Sequence, residues 1–149
     1  MKGSAFIRLA SEQDSAYVDV YDTYGVSFVK GSYLTLVKKS ASKGYVTNDS
    51  RLNNGVQMVA DSDYAKLSSR QFSVTILMEA STKANFVTYL ENFTAKISNG
   101  LIFLKIPSVK RVFKLVYNDM DIKQEYRGNK ATFTLKLTEP DPTDRVTLT

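Results

Sequence analysis

Phe72-Ser-Val74-Thr-Ile76-Leu-Met78-Glu-Ala80 places apolar side chains at even positions and, Leu77 apart, polar ones at odd positions. This period of two predicts a strand with one buried face. A period of three and four takes over at once: Phe86, Leu90, Phe93 and Ile97, with Tyr89 alongside, form one stripe of a helix over about 82–98. Ser81 or Thr82 can cap its start, and Ser98-Asn99-Gly100 supplies a residue that tolerates positive φ at its end. Leu101 to Ile106 then reads as a second strand ending at Pro107.

The same patterning predicts strands on either side of this unit. Ala5 to Leu9 and Tyr17 to Tyr21 are short candidates, and Asp22-Thr-Tyr-Gly25 reads as a reversal before Val26 to Val29, giving a hairpin over Tyr17 to Val29. Tyr33, Leu34, Leu36 and Val37 form an apolar cluster compatible with a helical turn or a strand end. Lys110 to Tyr117 has apolar residues on both faces, with Phe113, Leu115 and Tyr117 on one and Val112 and Val116 on the other. A bend at Asn118-Asp119 then separates it from a shorter strand, Ile122 to Tyr126. After a turn at Arg127-Gly128-Asn129, Ala131, Phe133, Leu135 and Leu137 alternate with Thr132, Thr134, Lys136 and Thr138, so the last strand lies with one face on the core. Two prolines in Glu139-Pro140-Asp141-Pro142 end it, and Thr143 to Thr149 reads as a mobile polar tail.

Lys38 to Arg70 is different: it is rich in Ser, Asn, Asp and Lys, with scattered aliphatics. Asn54-Gly55 is a strong signal for a two-residue hairpin turn, which makes about 45–60 a β-hairpin arm. Its two arms carry too few apolar residues to cover a core face, and an isolated ribbon is marginal in water. A neighbouring subunit is the simplest support. On this reading Tyr45, Arg51, Leu52, Val56, Met58 and Val59 are the candidate subunit-interface residues. The fold class expected is mainly β (α+β): antiparallel, β-sandwich or barrel-like sheets flanked by one helix, with that arm protruding. One domain over 1–145 and a polar tail, 146–149, complete the organisation.

Composition narrows the chemistry. The 149 residues contain no cysteine and no histidine, which removes disulfides, thiolate catalysis, the commonest general base and the commonest transition-metal ligands. No serine nucleophile motif and no glycine-rich phosphate cradle occurs, so neither enzymatic activity nor a cofactor is expected. Asp61 with Asp63, Asp119 with Asp121, and Asp19 with Asp22 are carboxylate pairs at predicted bends, where turn capping accounts for them better than a metal. No apolar run approaches the roughly 20 residues that span a bilayer. The first residues lack the apolar core of a secretory signal, which points to synthesis and retention in the cytoplasm, or release by lysis. A net charge of +5 is modest. Lys105, Lys110, Arg111, Lys114, Lys123, Arg127 and Lys130 would be the patch of a nucleic-acid-binding β domain, one alternative function. An adhesin-like or carbohydrate-binding sandwich is another, although the chain has no tryptophan to line a groove.

The order of elements resembles the N-terminal domain of phage distal tail proteins, within the wider tail-tube group. The resemblance is carried by Tyr45 through Gly55 and by Arg70-Gln-Phe-Ser-Val-Thr-Ile-Leu. It continues in the helix Ala84 to Ile97 leading to Gly100-Leu-Ile-Phe, and in Ala131-Thr-Phe-Thr-Leu-Lys-Leu-Thr-Glu-Pro-Asp-Pro. Glu139 to Arg145 is also similar to the ending of small tail proteins in Bacteroides-type prophages. The resemblance implies a structural virion protein: a ring of six copies that continues the tail tube and joins it to the baseplate or receptor-binding apparatus. Its partners would be sister copies and other tail proteins, with DNA passing only through the lumen. Longer members of the family carry a second, carbohydrate-binding-like domain, and this chain departs from them there.

Overall fold

The computed structural model describes residues 2–29, 31–38 and 68–148, together with the backbone of the two short strands at 47–48 and 57–58. In chain order the elements are β1 (Phe6–Leu9), β2 (Val18–Asp19), α1 (Val20–Tyr24), β3 (Val26–Phe28), α2 (Ser32–Val37), β4 (Thr47–Asn48) and β5 (Gln57–Met58). They continue with β6 (Arg70–Glu79), α3 (Lys83–Ile97), β7 (Leu101–Ile106), β8 (Arg111–Tyr126), β9 (Lys130–Glu139) and β10 (Val146–Thr147). All strand pairs among the described residues are antiparallel. The main sheet runs β2-β1-β7-β8-β9-β6-β3, with β10 also on β8, while β4 and β5 form a separate pair.

β8 joins the two halves of the main sheet. Val116 is opposite Leu101 of β7 on one side and Thr138 of β9 on the other, so β7 ends where β9 begins. Inward residues of both halves share one buried cluster: Ile7, Ile102, Leu104 and Ile106 from one, Val74, Ile76, Met78, Phe133 and Leu135 from the other. The arrangement is β-sandwich-like. α3 lies on this cluster through the expected stripe, with Phe86, Phe93 and Ile97 buried and Tyr89 and Leu90 partly so. Each such large apolar side chain stabilises the fold by about 1.5–3 kcal/mol. Rings lock the helix at two heights, Phe86 stacking on Phe133 at 6.3 Å between centroids and Phe93 meeting Tyr24 at 5.4 Å. Thr82 caps it, its hydroxyl accepting from the Asn85 N–H at 3.1 Å, and Gly100 leaves it with φ 102°.

Three local expectations are corrected. Tyr17 to Val29 is not a hairpin, because Val20–Tyr24 is a helical turn between strands that pair elsewhere: β2 with β1, β3 with β6. The Asp19 carboxylate accepts from the Tyr21 N–H at 3.0 Å, Gly25 closes the turn at φ 67°, and Val20 and Tyr24, four apart, face the core together. Asn118-Asp119 is no strand break. β8 runs on to Tyr126 and absorbs irregularities in register against β9 at Tyr117/Asp119 and Ile122/Gln124, as β-bulges do. The chain after Thr143 is docked as far as Leu148: β10 pairs with Val112 and Arg111, and the Leu148 N–H donates to the Lys110 carbonyl. The ambiguous cluster at Tyr33–Val37 belongs to α2.

Two predictions follow from the seams of this core. A Cβ at Gly25 would collide with the Glu79 carbonyl oxygen, and Glu79 in turn donates its N–H to the Gly25 carbonyl. Gly25→Ala should therefore lower the thermal midpoint by several degrees through both clash and left-handed strain, whereas Gly3→Ala, with open space around it, should cost only the strain of its left-handed φ. At the other end of α3, the Glu12 carboxylate accepts from Lys96 Nζ at 2.7 Å and from the Leu9 N–H at 2.8 Å. The Lys96 hydrogen bond, then the backbone one, holds the Glu12 carboxyl below the usual glutamate range. The stability this supplies is present above the ordinary carboxylate pKa and lost as pH falls through the depressed one. Urea titrations between about pH 5 and 3 should show that loss, and Glu12→Gln should remove it from the profile.

Candidate functional site

The described residues stop at Lys38 and resume at Ser68, on either side of the segment expected to meet sister copies, so the site begins with what holds those two ends. α2, only six residues long, leaves its last carbonyls without partners inside the helix. Two guanidinium groups take all of them. Arg70 Nη1 donates to the carbonyls of Thr35 at 2.6 Å and Lys38 at 2.8 Å, and its Nη2 to that of Leu36 at 2.8 Å. Arg145 donates to Val37 and Lys38, each at 3.2 Å. Cations at a helix C-terminus also oppose the negative end of its dipole.

Both arginines converge on Glu139, whose side chain is 1% exposed. Arg145 grips it with a two-pronged fork, Nε to Oε2 at 2.8 Å and Nη2 to Oε1 at 2.7 Å. Arg70 Nη2 lies 3.1 Å from Oε1. Each guanidinium also rests on a ring, Arg70 over Phe72 at 4.1 Å and Arg145 over Phe113 at 5.3 Å. Burial, first, pulls the Arg70 pKa below the usual arginine value, with Glu139 opposing the shift; arginine still stays charged at any physiological pH. Arg70 Nε is buried without a hydrogen-bond partner among the described residues.

The alternation that predicted the strands carries this cluster. Arg70 occupies the inward phase of β6 with Val74, Ile76 and Met78, and Glu139 the inward phase of β9 with Phe133, Leu135 and Leu137. The two face each other in register. A charge in the apolar phase of each strand was the available signal, and reading Glu139 only as the end of its strand missed it.

Of the residues proposed from sequence, Tyr45, Arg51, Leu52, Val56 and Val59 lie outside the described residues. Met58 is in β5, opposite Thr47. That pair confirms an antiparallel ribbon inside 45–60, but in a different register: a two-residue turn at Asn54-Gly55 with unbroken arms would put Ser62, not Met58, opposite Thr47. The basic residues of the alternative reading do not assemble. Lys105 stacks over Phe6 and Tyr17, Lys114 pairs with Asp144 at 2.9 Å, and Lys123, Arg127 and Lys130 lie toward the opposite end of a strand roughly 50 Å long at 3.3 Å per residue. The carboxylate pairs have other work: Asp19 caps α1, Asp22 meets Lys2 and Asp121 meets Lys136, while Asp61 and Asp63 fall outside the described residues. Among the described residues no group of three or more acidic side chains is placed to hold a metal.

Two further surfaces border the ribbon's domain. Beyond Val116 the β7-facing side of β8 has no partner strand among the described residues, and Ile122 there is 70% exposed. Leu77, the one apolar residue in the outward phase of β6, lines an open groove of about 630 Å³ with Val29, Tyr126, Lys130 and Thr132.

No family model matches the chain, and no curated protein does. Among solved structures, the Dit protein (gp 19.1) of phage SPP1, described as a paradigm of hub adsorption apparatus in phages infecting Gram-positive hosts, aligns with a TM-score of 0.60 at 13% identity. The alignment covers 93% of this chain and 50% of that one, so this chain spans half the length of the protein it matches. At that identity the likeness is one of fold, and it agrees with the distal-tail resemblance in the sequence. Among the described residues no helix is long and apolar enough to cross a membrane.

Removing the central carboxylate tests the cluster directly. Glu139→Ala leaves two largely buried guanidiniums without a counter-charge and should cost about 3–5 kcal/mol, read as a lower urea midpoint with an unchanged slope. A midpoint within error of the parent would show that the cluster is solvated in solution.

Proposed function

We propose that this chain is a structural component of a phage or prophage tail, a ring-forming distal-tail or tail-tube-like protein that links the tube to the baseplate. The observation that carries this reading is the fold shared with SPP1 Dit over nearly the whole chain. Its copies engage one another through the 45–60 ribbon, with Tyr45, Arg51, Leu52, Val56, Met58 and Val59 in the contact. Among the described residues β4 and β5 pair only with each other, as an element supported from outside its own sheet would. The edge of β8 beyond Val116, without a partner strand among the described residues, is a second surface with main-chain donors and acceptors to offer. Head-to-tail contacts of this kind close into a ring when the rotation permits, and six copies is the number the family resemblance favours. The protein's place is then the virion tail, assembled from chains made in the host cytoplasm.

Native mass measurement at high protein concentration tests the reading, with closed rings, hexamers first, as the expected species. Replacing Tyr45 to Ala60 with a short Gly-Ser link should leave a folded monomer. An assembly of unchanged size after that replacement would remove the ribbon from the contact.

A further inference from the structure

The stretch that follows β9 holds more than its composition suggests. β9 and β10 lie along the same side of β8, so they are one strand with an excursion between them. From Thr138, opposite Val116, to Val146, opposite Val112, the outer chain spends eight steps against four on β8. The excess is looped out after Glu139 as residues 140–145 and organised at three points. Asp141 accepts from the Thr143 N–H at 3.0 Å and from its hydroxyl at 2.6 Å, closing a tight turn. Asp144 meets Lys114 at 2.9 Å. Arg145 folds back on Glu139, the residue where the excursion began. Beyond it β10 and Leu148 tie the chain to the start of β8.

We propose that this C-terminal segment is a brace for the 38/70 junction, and that Arg145 is a positioning residue which fixes the direction in which the chain leaves α2. The geometry is one-sided. Arg145 touches Glu139 and the carbonyls of Val37 and Lys38, the last two residues before the 39–67 segment, and its ring contact is with Phe113 on β8. It therefore joins the exit point to the strand on which the brace is anchored. Arg70 supplies the other half, joining the return point to the same Lys38 carbonyl. A buried ion cluster is a poor source of net stability, because desolvation consumes much of the Coulombic gain, but a forked guanidinium admits few geometries and so specifies one. The inference concerns the junction within one chain and stands independently of the ring.

Hydrogen exchange on the intact chain tests it. In Arg145→Ala the amides of residues 32–38, including the Lys38 N–H bonded to Leu34, should exchange at least tenfold faster, while those of α3 and β7 keep their parental rates. Arg145→Lys keeps the charge but not the fork, so it should lie between the two, and it serves as the reading variant if Arg145→Ala does not fold. Lys114→Ala, which frees Asp144 and removes the ammonium from the Phe103 ring, should shift 141–148 and spare 32–38. Unchanged exchange at 32–38 would overturn the brace, and so would acceleration spread evenly over α3 and β7, which marks a general loss of stability.

Discussion

The constraint on which this molecule depends is the burial of one carboxylate between two guanidiniums. Glu139 could not enter the core uncompensated, since an isolated buried ion costs far more than the few kcal/mol by which domains are stable. Arg70 is opposite it on the adjacent strand, and Arg145 returns to it from six residues further on. The remaining donors of both arginines then fall on the carbonyls that end α2. One cluster thereby fixes the β6–β9 register, ends a helix, anchors the C-terminal segment and sets both ends of the 39–67 stretch. No apolar contact could combine these tasks, because none has direction.

Around that corner the rest is ordinary core physics arranged for an unusual strand. β8 pairs with β7 from Arg111 to Val116, with β10 at Arg111 and Val112 and with β9 from Val116 onward, and ends with its residues exposed from Ile122 onward. Its charged pattern, Asp119, Asp121, Lys123 and Glu125, is the kind that discourages casual edge pairing. Among the described residues the molecule thus combines a closed core with an open strand edge and a two-stranded ribbon paired outside the main sheet.

Much of this could be read in the chain. β6, α3, β7 and β9 follow from period two and period three-to-four patterns that tertiary packing had no reason to override, and α3 falls within a residue of its expected limits. α1 was hidden because Val20 and Tyr21 have strand propensity and five residues are too few to show a helical period; the Asp19 and Gly25 caps decide it. β8 was cut short because Asn118-Asp119 has the composition of a turn, whereas a long partner strand can carry the same residues through a bulge. The clamp needed both phases read together: Arg70 and Glu139 each look like strand termini alone, and only their shared register makes them a pair.

The distance along the chain between the two halves of that pair has a consequence for biogenesis. Arg70 leaves the ribosome several seconds before Glu139, which is about 70 residues later at ordinary elongation rates, and Arg145 follows Glu139. During that interval α2 and everything up to the second strand of the ribbon have been made, yet the counter-ion that would fasten them is still inside the synthetic machinery. The junction between Lys38 and Arg70 is thus closed only after Glu139 and Arg145 have emerged, so the ends of the 39–67 stretch are fastened by residues made well after it.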